Sequence, residues 1–170
     1  MLDYLLELGH TKIGFIGGVD TDKSGNHYYD LRQEVFEKYL KSKGLYHEEY
    51  IKIGGYNPKD GYLLLKQLLE LKEKPTAVFV ANDTIAVGLY KACSELGYRI
   101  PEDISIIGFN DISAAQFMVP PLTTIRLNTE FMGETAVLLM QDRLNSDREI
   151  CLQITIPTKL IIRESAIDVR

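Results

Sequence analysis

The 170-residue sequence predicts an α/β fold, a doubly wound parallel sheet with helices on both faces. Three observations carry this expectation. Short apolar runs rich in β-branched residues, at Ile13–Ile16, Ala77–Val80 and Ile104–Ile107, alternate with longer segments of helical periodicity. The runs are nearly continuous instead of alternating, as in strands that helices cover on both sides. Two of them leave through the same chemistry: Val78-Phe79-Val80-Ala81-Asn82-Asp83 and Ile106-Ile107-Gly108-Phe109-Asn110-Asp111 both pass from apolar strand to Asn-Asp. Strand, helix and strand in that order build a parallel sheet through right-handed crossovers.

Residues Leu2–Leu8 read as the end of a helix that Gly9 stops, so the chain enters inside an element. Ile13–Ile16 is a short strand, and Gly17-Gly18 open a polar loop through Asp20, Asp22, Ser24 and Asn26. A helix is expected from about Tyr29 to Lys43, because Leu31, Val35, Phe36, Tyr39 and Leu40 recur at helical spacing before Gly44. Tyr50–Ile53 is a weak strand leading into Gly54-Gly55-Tyr56. Asn57-Pro58 start the next helix, with Leu64, Leu65, Leu68 and Leu69 as its buried stripe. After the strand Ala77–Val80, a helix capped by Asp83 or Asn82 runs to Leu96 and stops at Gly97. If Asp83 takes the capping role, the Asn82 amide is the freer of the two. Past Asp111 the pattern changes. A loop with Pro120-Pro121 precedes a strand at Thr123–Leu127 and an amphipathic helix at Glu130–Leu144. Two β segments, Gln153–Ile156 and Lys159–Ile162, then flank Pro157.

The composition is that of one soluble globular domain, with 45% hydrophobic residues, 25% charged residues and a net charge of −5. A chain of this size buries roughly 70% of its unfolded surface. Lys and Arg are scattered, a poor footprint for phosphate backbones, so this chain alone is not expected to hold DNA strongly. No apolar run approaches the roughly 20 residues of a membrane helix. No basic segment followed by an apolar one opens the chain, so no secretory signal is expected. Cys93 and Cys151 lack metal spacing, and Cys93, on the apolar side of its helix, reads as a small buried thiol. A reducing cytoplasm is the expected compartment. His10, His27 and His47 form no ligand pair, so no metal is expected. Gly17-Gly18 fits neither dinucleotide nor phosphate-loop spacing, so no nucleotide or other cofactor is expected. Asp20, Asp22, Ser24 and Asn26 resemble a calcium loop only superficially, because the required Gly and terminal Glu are out of place.

In open parallel α/β sheets, ligands sit outside the carboxyl ends of the strands. Asn82 and Asn110 stand there, and each amide offers both donors and an acceptor. That arrangement suits a polar small molecule. Asp111 is expected to hold the loop and Phe109 to pack.

Five segments, in one order and with consistent spacing, resemble the effector-binding region of the lactose/galactose repressor (LacI/GalR) family of bacterial transcription regulators. They are Leu8-Gly9-His10-Thr11-Lys12-Ile13, Pro75-Thr76-Ala77 through Asn82-Asp83, Leu96-Gly97-Tyr98-Arg99-Ile100-Pro101-Glu102-Asp103-Ile104-Ser105, Pro120-Pro121-Leu122-Thr123-Thr124-Ile125, and Ile162-Arg163-Glu164-Ser165. The resemblance implies a lobe of the type I periplasmic-binding-protein kind, Rossmann-like in architecture. It divides the chain into residues 1–127 of the C-terminal lobe, residues 128–148 as a helix returning to a preceding N-terminal lobe, and residues 149–170 rejoining the C-terminal lobe. A helix-turn-helix headpiece would stand upstream and carry contact with operator DNA. The molecule would be a cytoplasmic homodimer, with part of the surface of the Thr84–Leu96 helix serving the symmetric contact.

The same resemblance places Arg32 at an effector-binding position, where a guanidinium can fork to sugar hydroxyls. It places Tyr56 where an aromatic stacks on the ligand. It puts Asn110 where many members carry Asp, while Asn82, from its strand-end position, is expected either to contact the ligand or to serve only as a helix cap. Asn110 keeps the geometry without the charge, so a neutral sugar or polyol is expected over a cation. His10 is expected to order the helix-to-strand turn. The alternative is a transport-type sugar-binding protein of the same fold. An α/β enzyme is disfavoured and no catalytic residues are expected, because neither a G-x-S-x-G nor a suitably placed His is present.

Overall fold

The computed structural model describes residues 1–21, 24, 27–28 and 30–170. Its elements are α1 (Leu2–Glu7), β1 (Ile13–Gly18), β2 (Asp20–Thr21), β3 (His27–Tyr28), α2 (Leu31–Lys43), β4 (Ile51–Gly54), α3 (Pro58–Leu69), β5 (Ala77–Val80), α4 (Asp83–Leu96), β6 (Ser105–Asn110), β7 (Thr123–Arg126), α5 (Thr129–Asn145) and β8 (Lys159–Ile161). The main sheet runs β4-β1-β5-β6-β7-β8. Its first five strands are parallel, and β8 joins the edge antiparallel to β7, pairing Ile125 with Leu160.

Both faces of the sheet are covered. Phe36 of α2 packs on Phe15 of β1 and Phe79 of β5, with ring centroids 5.3 and 6.3 Å apart, and Tyr39 of α2 bonds to Asp3 of α1. Helices α3 and α4 lie against the opposite face and against each other. Gly88 is what lets them touch, since a Cβ there would come within 1.9 Å of the Pro58 carbonyl oxygen. The central strands β1 and β5 are buried along their whole length, as their apolar runs require.

Local chemistry accounts for the element ends. Asp30 and Asn57 cap α2 and α3 by accepting from the backbone N–H of Arg32 and Asp60, and Pro58 occupies the first turn of α3. Gly44 and Gly97 close α2 and α4 at positive φ, 69° and 74°. The carboxyl-terminal Ser165 stitches β6 to β7, donating to the Ile106 carbonyl at 2.6 Å and accepting from the Thr123 N–H at 2.8 Å. His10, at the amino-terminal edge, does more than order a turn. Its ring meets Thr76 Oγ1 at 2.8 Å and the Ile167 carbonyl at 3.0 Å, tying β5 and the chain's last residues together, and burial lowers its pKa.

Several expectations need correction. Helix α2 starts at Leu31, one residue past the Asp30 cap, and Tyr29 lies outside the described residues. The loop after Gly18 contains the two-stranded β2-β3 ladder, while Asp22 and Asn26 of the calcium-like pattern also lie outside the described residues. Gln153–Ile156 is not a strand; only Lys159–Ile161 pairs. Helix α5 forms where periodicity places it but buries no residue, so it is not amphipathic towards this sheet. Cys93 is buried as expected, and burial pushes its thiol up to about 12.

Candidate functional site

Because β4, β1, β5 and β6 are parallel neighbours, Tyr56, Asn82 and Asn110 all emerge at one edge of the sheet, and the first turn of α2 brings Arg32 to it. Asp30 organises this corner. Its carboxylate accepts from the backbone N–H of Arg32 at 2.9 Å, from Arg32 Nε at 2.8 Å and from the Tyr56 hydroxyl at 3.1 Å, and it meets Arg32 Nη2 at 2.8 Å. The Arg32 Nη1 donates to the Ala81 carbonyl at the end of β5. The guanidinium carbon lies 5.1 Å from the Phe109 ring centroid and 5.8 Å from that of Tyr56. One cation is thus held by a carboxylate, a strand-end carbonyl and two aromatic faces. Burial pushes the Asp30 carboxyl up, but the bonds from Arg32 outweigh it and hold it below its ordinary value. The pair is therefore charged on both sides and nearly neutral in sum.

Of the two residues able to cap α4, Asn82 takes the role, so its amide is not the freer of the two. Asn82 is the cap of α4: its Oδ1 accepts from the Ile85 N–H at 2.8 Å. Its acceptor is used locally, so its Nδ2 donors are what it can offer a ligand. Asp83, the first residue of the helix, turns inward and is fully buried. Thr124 Oγ1 donates to it at 2.6 Å and the Ile112 N–H at 2.9 Å. Burial raises its pKa, against bonds from Thr124 and from the backbone of Ile112, Phe109 and Asp111.

Asn110 is half-buried, at φ 113°, and Asp111 follows at φ 57°. Positive φ is sparsely populated for residues other than glycine, although Asn and Asp adopt it more readily than most. Asp111 holds the loop, as expected of it. Arg126 Nε and Arg163 Nη2 meet its carboxylate at 2.6 and 2.7 Å, and its side chain is 5% exposed. Burial raises its pKa, but the two guanidiniums win and leave it lowered. Phe109 packs edge-on against Phe79 at 6.4 Å and also lines a cavity of about 370 Å³ with Arg32, Phe36 and Ile125. Of the four candidate residues, only Arg32 lines that cavity. A similar groove along α2 lies between surface ion pairs such as Lys38–Glu34 and Lys41–Glu37, which are worth little in water.

Sequence reading missed Asp30, Arg126 and Arg163. An Asp just before an apolar-periodic run is a cap signal that points to Asp30. Arg163 stands in one of the segments that carry the family resemblance, but nothing local gives either arginine its partner, which lies 15 and 52 residues away along the chain.

This architecture and edge define a binding lobe, and the comparisons give its family. Residues 2–166 match the periplasmic binding protein-like domain family, to which the chain belongs. Within it, the chain corresponds to the effector-binding region of LacI/GalR-type regulators. It is 36% identical over 167 residues to the HTH-type transcriptional repressor MelR of Bacillus subtilis (strain 168), covering 96% of this chain and 48% of that protein. It superimposes on the Lac repressor dimer bound to operator and the anti-inducer ONPF with a TM-score of 0.85 at 28% identity, covering 98% of this chain and 56% of that one. A LacI family regulator from Lactobacillus casei with bound sucrose matches with a TM-score of 0.81 at 28% identity, over 97% and 60% of the two chains. The chain spans about half the length of the curated relatives it matches.

Proposed function

We propose that this chain forms most of one lobe of a sugar-responsive transcription repressor, and that its carboxyl edge is half of the effector site. The observation that carries the reading is the convergence of Arg32, Tyr56, Asn82 and Asn110 on that edge with charges already matched inside the protein. Amide donors, remaining guanidinium N–H groups and aromatic faces suit hydroxyls and C–H faces, so the ligand is a neutral sugar. Among the described residues, the Asp30 carboxylate at this edge is already matched by Arg32 and calls for no cation. The repressor relatives favour a regulator over a transport-type carrier, and a binding site over a catalytic one.

The division into residues 1–127, 128–148 and 149–170 fits α5. Phe131, Val137, Leu138, Met140 and Leu144 are all exposed on it, and a helix apolar on several sides belongs inside a larger body. The missing cover is the other lobe. Sugar held between lobes favours one lobe arrangement, and coupling of about 1–3 kcal/mol passes this preference to DNA-binding headpieces elsewhere in the polypeptide. Val87 and Leu96 are exposed on α4, and part of the surface of this helix serves a symmetric dimer in the cytoplasm. Leu89 and Tyr90 of the same helix are taken up internally, Tyr90 through a 2.9 Å bond to the Pro120 carbonyl.

Calorimetric titration tests this reading. With half the cleft present, this chain binds mono- and disaccharides weakly, and a polypeptide carrying both lobes binds one of them tightly. Micromolar-or-better binding by this chain alone, or none by the two-lobed form across a sugar panel, contradicts the reading.

A further inference from the structure

Asp83 belongs to neither the ligand-facing edge nor the general core. It is a fully buried carboxylate at the start of α4, and its backbone bonds go to the segment that presents Asn110, with Thr124 of β7 adding a hydroxyl. Thr124 Oγ1 reaches one oxygen from β7, and the Ile112 N–H reaches the other from beyond the corner. The backbone of Phe109 and of Asp111 also bonds to it. Asn110 stands between those two residues, and Asn110 and Asp111 are the two non-glycine residues of positive φ among the described residues. The carboxylate also lies flat on β6. A Cβ at Gly108 would stand 2.0 Å from Asp83 Oδ1, so only glycine at that position leaves room for it.

We infer that Asp83 is a positioning residue for the Asn110 amide, fastening the β6 corner to the helix whose cap is Asn82. This rests on the sugar-site reading above and deepens it. Asn82 and Asp83 are consecutive, so one helix start sets both strand-end amides. Asn82 caps the helix and offers Nδ2 outward, and Asp83 fixes the corner that carries Asn110. The spacing between the two amides is then held by Asp83, not by the strand pairing alone. The carboxylate suits this. It offers two acceptor oxygens where an amide offers one, and the backbone N–H groups of Ile112, Phe109 and Asp111 cannot turn to accept as the Thr124 hydroxyl can.

The test has two arms. In crystal structures without ligand, Asp83→Asn moves Asn110 and Asp111 away from positive φ while α4 and β6 stay in place. Thr124→Val, which removes one donor, moves them less and serves if Asp83→Asn does not fold. A corner unchanged in the variant that folds overturns the inference. In the second arm, NMR titration with D-glucose, D-galactose and sucrose compares wild type, Asp83→Asn, Asn110→Ala and the double variant. Asp83→Asn weakens binding about tenfold, the order of one hydrogen bond, and by less than about twofold once Asn110 is Ala. An equal loss in both backgrounds overturns positioning through Asn110. If none of these sugars binds wild type, it is the sugar reading that fails for them, and the crystallographic arm still decides the role of Asp83.

Discussion

Helices α4 and α5 are similar in length and apolar content, yet α4 buries seven of its residues and α5 none. The difference lies in how their apolar residues are arranged. On α4, Ile85, Ala86, Leu89, Ala92 and Cys93 share one side, and the sheet and α3 cover it. On α5, Phe131, Met132, Val137, Leu138, Met140 and Leu144 spread round the cylinder. Helical periodicity marks a helix in both. Only the breadth of the apolar surface says how much of it needs a neighbour.

Stability measurements sharpen the contrast. Leu89→Ala, fully buried on α4, should cost about 2–5 kcal/mol in urea unfolding of this chain. Asn82→Ala should cost about 1 kcal/mol by removing the α4 cap, with an additional loss of sugar affinity if its Nδ2 faces ligand. On α5, Leu138→Ala should stay within about 0.5 kcal/mol of wild type in this chain, because it exposes no new surface. A cost on α5 comparable to that of Leu89→Ala would break the comparison and place α5 in the core of this chain.

A second, smaller contrast separates Asp111 from Asp83. The Asp111 pKa is lowered, so its contribution to stability is present above the ordinary carboxylate value of 3.8 and is lost as pH falls through the lower folded value. Asp111→Asn should therefore flatten the acid side of a melting-temperature profile. The Asp83 pKa is raised, so its sign is opposite: its contribution declines as pH rises through the elevated value. An acid limb as steep in Asp111→Asn as in wild type would show that the two guanidiniums give Asp111 no net stability. Asn110→Ala should weaken sugar response more than Asp111→Asn, measured by calorimetry on the two-lobed polypeptide.

Much of the frame was legible because it is local. Gly44 and Gly97 stop their helices, Pro58 opens another, and the apolar runs of β1, β5 and β6 become the buried centre of the sheet. The edge carrying Asn82 and Asn110 followed from strand direction. What stayed open was which of two neighbours takes one job. Asn82 and Asp83 are both able to cap, and choosing between them needs Thr124 and Ile112, which lie 41 and 29 residues away from Asp83 along the chain. The missing strand at Gln153–Ile156 has a similar cause, since a β-prone run needs a partner edge and only Lys159–Ile161 reaches one.

Periodicity and turn chemistry by themselves determined that this protein is a parallel α/β lobe whose polar strand ends face one edge, because helical stripes, strand runs and glycine stops are written within a few residues of where they act. Tertiary structure alone decided which carboxylate turns inward, which arginines hold Asp111 and how the cation of Arg32 is neutralised. Those choices depend on desolvation and on partners far apart in the chain, whose distances exist only after the sheet has closed.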